Sequence, residues 1–81
     1  MSVIRFDNQF MRKNAVLPER LGNRIQKQRK IIRLTQEQLA DKVGVSRVFM
    51  GYIEQGRNVP SLEVLQKIAR CLGVSIGNLT D

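Results

Sequence analysis

Two short apolar periods separated by a glycine occupy residues 35–56, which read TQEQLADKVGVSRVFMGYIEQG. Thr35 precedes the first period and Gln38 follows three residues later, a spacing that predicts a capping box at a helix N-terminus. Gly44 ends this helix, because glycine takes the left-handed conformation after a helix without steric cost. Ser46 predicts the N-cap of the next helix. The pattern therefore predicts two helices joined by a very short turn.

The spacing of small and apolar residues in this stretch is typical of two helices that cross steeply. Their backbones approach closely near the turn, so only a small residue such as Ala40 fits at the contact. Gly44 turns the chain, and larger apolar side chains fill the wedge between the helices. Two unrelated amphipathic helices would rarely meet all of these requirements together. The positions that indicate a helix-turn-helix are Leu39, Ala40, Val43, Gly44, Val45, Met50 and Ile53.

Amphipathic helices are also predicted on both sides of this pair. The first begins at Pro18 or Glu19, since proline suits a first turn and an acid favours the positive end of the helix dipole. The fourth begins at Pro60-Ser61 and ends at Gly73, and a last turn follows at residues 75–79. The positions predicted to face inward are Leu21, Ile25, Arg29 and Ile32 in the first helix and Leu62, Leu65, Ile68, Ala69 and Leu72 in the fourth.

The charge of the chain favours a polyanionic partner. Lys and Arg number 14 against 7 for Asp and Glu, which gives a net charge of +7 in 81 residues. Residues 19–33 hold six basic residues and one acid, and so contribute +5 of that charge. A solvated helix face is the ordinary explanation of a charge run, but this concentration on one helix is typical of nucleic-acid binding.

Composition excludes several chemistries. The chain has no His and a single Cys, Cys71, so it has no intrachain disulfide, no Cys–His zinc site and no histidine general base. Because the acids are dispersed, we predict no enzyme activity, metal or cofactor. Cys71 is interpreted as a buried or interface cysteine that acts as a small hydrophobe rather than as a redox switch. No apolar run reaches the roughly 20 residues that span a bilayer, and the N-terminus does not read as a secretory signal. We expect one small cytoplasmic domain.

The sequence resembles the Cro/CI-like helix-turn-helix family of phage and bacterial transcriptional regulators over about residues 21–79. The motifs that carry this resemblance are LTQEQLA at 34–40, GVS at 44–46, IEQGR at 53–57, PSL at 60–62 and LGVS at 72–75. The resemblance implies an all-α fold, a compact five-helix lambda-repressor-like DNA-binding domain over residues 18–81 with an N-terminal extension at 1–17. In this family the residues that match Arg29 and Glu54 form a buried or half-buried salt bridge, so that role is expected here.

The resemblance also implies how DNA is read. The helix from Gln36 to Val43 would cross the DNA backbone, and the helix from Ser46 to Gln55 would lie in the major groove. With Met50 and Ile53 inward, the residues predicted to face outward and contact bases are Arg47, Val48, Gly51 and Tyr52. Arg47 suits guanine O6 and N7, and Val48 suits the thymine methyl group. Tyr52 would reach a base edge or a phosphate, and Gly51 is either a site of close approach or an ordinary surface glycine.

Phosphate contacts are predicted around this helix. A helix N-terminus with free N–H groups favours anions, which places Gln36 first among the candidates. The predicted phosphate-contacting residues are Gln36, Ser46, Arg57, Asn58, Arg24 and Arg33. Arg57→Ala is expected to weaken binding to all sequences alike. For Phe49, packing is favoured over DNA contact.

The two ends of the chain bear on assembly. Alternating residues near Ile4 and Phe6 fit a short strand, so the extension is predicted to make a dimer contact. The alternative is a basic arm that follows DNA, using Arg5, Arg12 and Lys13. The resemblance places Val74, Ile76 and Leu79 at or near a dimer interface, although Gly77 and Asn78 depart from the bulky and charged residues common there.

These observations predict a regulator, most simply a repressor, that binds operator DNA as a homodimer. An antitoxin or a restriction-modification controller would use the same fold, with a toxin or polymerase as a further partner. A protein-interaction module whose basic face binds an acidic partner is the alternative from another class.

Overall fold

The computed structural model describes residues 17–80, and every regular element among them is a helix. The five helices, in chain order, are α1 (Pro18–Ile31), α2 (Gln36–Val43), α3 (Arg47–Glu54), α4 (Leu62–Leu72) and α5 (Ile76–Thr80). This confirms the predicted five-helix architecture. The strand and the arm predicted within residues 1–16 lie outside the described residues.

The helices begin at the residues that the capping signals predict. Pro18 lies in the first turn of α1. At α2, the backbone N–H of Gln38 donates to Oγ1 of Thr35 (3.0 Å), while the Thr35 N–H donates to the Gln38 side chain (2.8 Å). The Ser46 hydroxyl accepts from the N–H of Phe49 in the same way (3.0 Å). These bonds satisfy N–H groups that the first turn of a helix leaves without a partner.

Glycine in the left-handed conformation follows α2 and α4, but not α1. Gly44 follows α2 with φ 80°, and Gly73 follows α4 with φ 72°, as predicted. At the end of α1 the left-handed residue is Arg33, with φ 62°. Its N–H donates to the Lys30 carbonyl, and the next N–H donates to the Arg29 carbonyl (both 3.0 Å), which is a Schellman ending. A side chain in this conformation is strained, so α1 ends less favourably than its neighbours.

The core lies where α1, α2 and α3 meet and is closed by α4 and α5. The buried apolar residues are Leu21, Ile25, Leu39, Ala40, Val43, Met50, Ile53, Leu65, Ile68, Ala69, Leu72 and Leu79. Two inward predictions are wrong. Ile32 is 42% exposed because α1 has already ended, and Leu62 is 65% exposed because it opens α4 directly after the cap Ser61.

Among the glycines of residues 17–80, Gly22 has the closest neighbours, and it is a residue that the sequence pattern did not single out. A Cβ atom at this position would lie 2.5 Å from the carbonyl oxygen of Ile53 and 2.6 Å from that of Glu54. Real Cβ atoms essentially never come so near a backbone oxygen. The missing side chain therefore lets α1 pack directly on the C-terminal end of α3. This contact helps to set the orientation of α3 relative to α1.

Candidate nucleic-acid interface

A buried ion pair joins α1 to α3. Nε of Arg29 donates to one carboxylate oxygen of Glu54 (2.7 Å) and Nη2 donates to the other (3.0 Å). Nη1 of Arg29 donates to the Leu34 carbonyl (2.8 Å). Both side chains are buried, so the structure contains the pair that the resemblance implies. Glu54 is the last residue of α3, where the helix dipole disfavours a negative charge. The guanidinium offsets that effect.

The same carboxylate also binds the first residue of α2. Nε2 of Gln36 donates to Oε1 of Glu54 (3.0 Å), and Gln36 is half-buried. Its side chain is therefore fastened to the protein rather than extended into solvent. Because an amide nitrogen has two hydrogens, this bond leaves one donor for a phosphate oxygen. Glu54 thus links α1, α2 and α3 at one point.

The prediction that Gly51 faces outward is wrong. Gly51 is buried, and a Cβ at this position would lie 3.4 Å from Oε1 of Gln36. The Gln36 side chain covers this part of α3 because its bond to Glu54 draws it across the helix. A direct base contact by Gly51 has no geometric support, since another side chain lies over it.

Three of the predicted base-contacting residues do form an exposed surface, which we call the reading face: Arg47, Val48 and Tyr52. Val48 is 56% exposed and Tyr52 is 38% exposed. They are four residues apart and so lie on one side of α3. Arg47 is exposed in the first turn of the helix. The face therefore combines a cation, a pair of methyl groups and a phenol.

Arg57 lies against the reading face. Its guanidinium carbon is 5.3 Å from the centroid of the Tyr52 ring, within cation–π distance. The Arg57 N–H also donates to the Tyr52 carbonyl (2.8 Å). Sequence spacing did not reveal this contact, because the chain reverses direction between the two residues.

The remaining residues predicted to contact phosphate lie at the ends of helices or on α1. Ser46 and Asn58 are exposed at either end of α3, Arg33 is exposed at the α1–α2 corner, and Arg24 is half-buried on α1. Phe49 is half-buried and packs on the core, as favoured from the sequence.

Among residues 17–80, no cluster of side chains could hold a metal ion. No helix in that part of the chain is long and apolar enough to cross a membrane.

A short α2, a turn at Gly44 and an α3 with an exposed cationic and apolar face define a domain of the helix-turn-helix DNA-binding class. A family model for the helix-turn-helix matches residues 25–79. The chain therefore belongs to the helix-turn-helix family.

Three known proteins illustrate this relationship. The transcriptional repressor RstR of a cryptic CTXphi phage in Vibrio cholerae is 43% identical over 63 residues, 78% of this chain and 53% of that protein. The immunity repressor of Bacillus phage phi105 is 43% identical over 56 residues, 69% of this chain and 39% of that protein. The crystal structure of the P22 c2 repressor with a synthetic operator has a TM-score of 0.73 at 31% identity and covers 75% of this chain and 92% of that one. The chain thus spans about half or less of these two curated relatives.

Proposed function

We propose that this chain is a transcriptional regulator, acting as a repressor, that reads double-stranded operator DNA in the major groove. The observation that carries the proposal is the reading face, where Arg47, Val48 and Tyr52 are exposed on a helix held rigidly by a buried ion pair. The similarity to phage repressors supports it. The proposed activity is binding and not catalysis.

In this proposal each exposed group has a distinct role. Arg47 pairs with guanine through O6 and N7, and Val48 contacts a thymine methyl group. The second amide hydrogen of Gln36 and the N-terminus of α2 bind a phosphate. Ser46, Arg57, Asn58, Arg33 and Arg24 add backbone contacts that set orientation without reading sequence. Gly51 makes no contact with DNA in this proposal, because the Gln36 side chain lies over it.

We further propose that two copies bind together as a homodimer. A domain of this size has one recognition helix, and two such helices about 34 Å apart would read successive major grooves of a palindrome. A cytoplasmic location follows from a partner that is chromosomal or phage DNA. Polymerase, or a toxin if the protein is an antitoxin, would be a further partner.

Site selection from a pool of random duplexes tests the proposal. We expect one palindromic sequence to be enriched, with affinity that falls with salt at a log–log slope of about −0.9 for each phosphate contacted. Arg47→Ala should lower the affinity for the selected duplex by about 1–3 kcal/mol and relax the preference at one base pair of each half-site. Arg70→Ala, an exposed arginine on α4, is the matched control and should leave that preference unchanged. No enrichment by the unmodified protein would rule the proposal out.

A protein-interaction module is the second candidate, and one groove favours it. A cavity of about 500 Å³ lies between the end of α2 and α4, lined by Asp41, Lys42, Val43, Gly44, Lys67, Arg70 and Cys71. Its three cations and one acid would suit an acidic segment. Binding to DNA that shows no sequence preference, together with tight binding of an acidic peptide, would favour this candidate over the first.

A further inference from the structure

The contact between Arg57 and Tyr52 gives Arg57 a role that charge alone would not. The guanidinium lies over the ring of Tyr52, and both side chains are exposed. Tyr52 belongs to the reading face, whereas Arg57 follows the end of α3. A solvent-exposed phenol next to a helix end normally has freedom to change its orientation. Here a neighbouring side chain restricts the ring.

The backbone explains why Arg57 is held at this place. The chain reverses at Gly56, which has φ 78°, and the Gly56 N–H donates to the Ile53 carbonyl (3.1 Å). The Arg57 N–H then donates to the Tyr52 carbonyl (2.8 Å). A Cβ at Gly56 would lie 2.9 Å from Cα of Glu19, so the turn is wedged against the start of α1. The turn therefore packs closely on α1, and the Arg57 guanidinium lies over Tyr52 of α3.

The chemistry of the guanidinium suits this arrangement. A guanidinium that lies over an aromatic ring has five N–H donors, so it can bind a phosphate with some of them while it stays over the ring. A lysine ammonium has the same charge, but it is compact and more strongly hydrated, so it covers less of the ring. Arginine therefore couples the backbone contact and the ring orientation in one side chain.

We propose that Arg57 is a positioning residue that sets base-pair discrimination through Tyr52, an inference that rests on the proposed function. The guanidinium over the ring holds the phenol in the orientation that presents its hydroxyl to a base edge. A residue that only neutralised a phosphate would weaken binding to all sequences by one factor. Arg57 has in addition an effect on the sequences that Tyr52 distinguishes.

The test compares Arg57→Lys, Tyr52→Phe and the double variant, with Arg70→Lys as the control, on the selected duplex and its single base-pair variants. Tyr52→Phe identifies the base pair read by the hydroxyl. Arg57→Lys should reduce discrimination at that same pair by at most about two- to fivefold, the full value of an exposed cation–π contact, because lysine keeps the charge but not the planar group. The salt dependence should stay unchanged because the charge is retained. The double variant should discriminate as well as Tyr52→Phe alone, because the hydroxyl through which Arg57 acts is already absent.

A measurement on the free protein isolates the contact itself. The chain has one Tyr and no Trp, so the near-UV circular dichroism of the tyrosine band reports on Tyr52. We expect that band to weaken in Arg57→Lys and to stay intact in Arg70→Lys, while the far-UV spectrum shows both variants folded.

Several results would overturn the inference. If Arg57→Lys discriminates as well as the unmodified protein, weakens all duplexes by one factor, or adds its loss to that of Tyr52→Phe, Arg57 does not act through the phenol. Those outcomes leave the proposed function standing, because a preferred duplex exists in each of them. If the unmodified protein prefers no duplex, the proposed function fails and the inference fails with it.

Discussion

Removing the carboxylate of Glu54 provides the sharpest test of how this domain is held together. Glu54 accepts two hydrogen bonds from Arg29 and one from Gln36. Glu54→Ala would leave the buried guanidinium of Arg29 with the Leu34 carbonyl as its remaining partner in the structure. Removing one member of a buried ion pair typically costs about 3–5 kcal/mol, because the other charge stays desolvated. Small domains have only about 5–15 kcal/mol of stability in total.

The assay is thermal and urea unfolding followed by far-UV circular dichroism. For a domain of this size, each kcal/mol lowers the midpoint by about 4–8 °C, so Glu54→Ala should lower it by roughly 12–40 °C. Glu63→Ala is the matched control, since Glu63 is an exposed acid whose carboxylate lies 3.7 Å from Nζ of Lys67. An exposed pair of this kind contributes at most about 1 kcal/mol.

A double variant distinguishes the cost of leaving a buried charge unpaired from the cost of lost side-chain packing. Replacing both partners with apolar residues, Arg29→Met together with Glu54→Leu, removes the uncompensated charge. This double variant should be more stable than Glu54→Ala. If Glu54→Ala melts cooperatively at the temperature of Glu63→Ala, the ion pair does not hold α1 on α3 and the reasoning is refuted.

Three further substitutions test local features of the fold by urea unfolding. Gly22→Ala should destabilise by about 1–3 kcal/mol because the new methyl group meets backbone oxygens of α3. Gly77→Ala, at an open helical position of α5, should be neutral or slightly stabilising; equal stabilities of the two variants would contradict the close approach. Arg33→Gly should stabilise by about 1 kcal/mol, since glycine adopts the left-handed conformation without strain, and an unchanged or lower urea midpoint would argue against that strain. Gly51→Ala should stabilise α3 by about 0.8–1.0 kcal/mol, because a methyl group fits under the Gln36 side chain; a large loss of stability would show that it does not.

Much of the fold follows from local chemistry along the chain. The capping box at Thr35, the cap at Ser46 and the glycine after α2 each act within four residues, and the structure has each of them where the sequence predicts it. The residues of α2 and α3 that face the core can also be predicted from the sequence, because helical periodicity decides which side chains share a face. The reading face is the complement of those positions, apart from Gly51.

The errors have two physical causes: a helix boundary shifted by one residue, and contact between residues far apart in the chain. Leu62 has the right period to face inward but stands at the first position of α4, where the core does not reach it. Gly51 has the right period to face outward but lies beneath a side chain from α2.

The amino-acid sequence by itself determined the number of helices, the ends marked by caps and glycines, and most of the side chains that α3 exposes, since these depend on hydrogen bonds and periodicity within a few residues. The tertiary structure alone decided that Gly22 must lack a side chain, that Glu54 binds both Arg29 and Gln36, and that Arg57 covers Tyr52. Each of those facts depends on how closely two helices approach each other or on how the chain reverses at the end of α3. Such distances arise only once the whole core has packed, so periodicity cannot encode them.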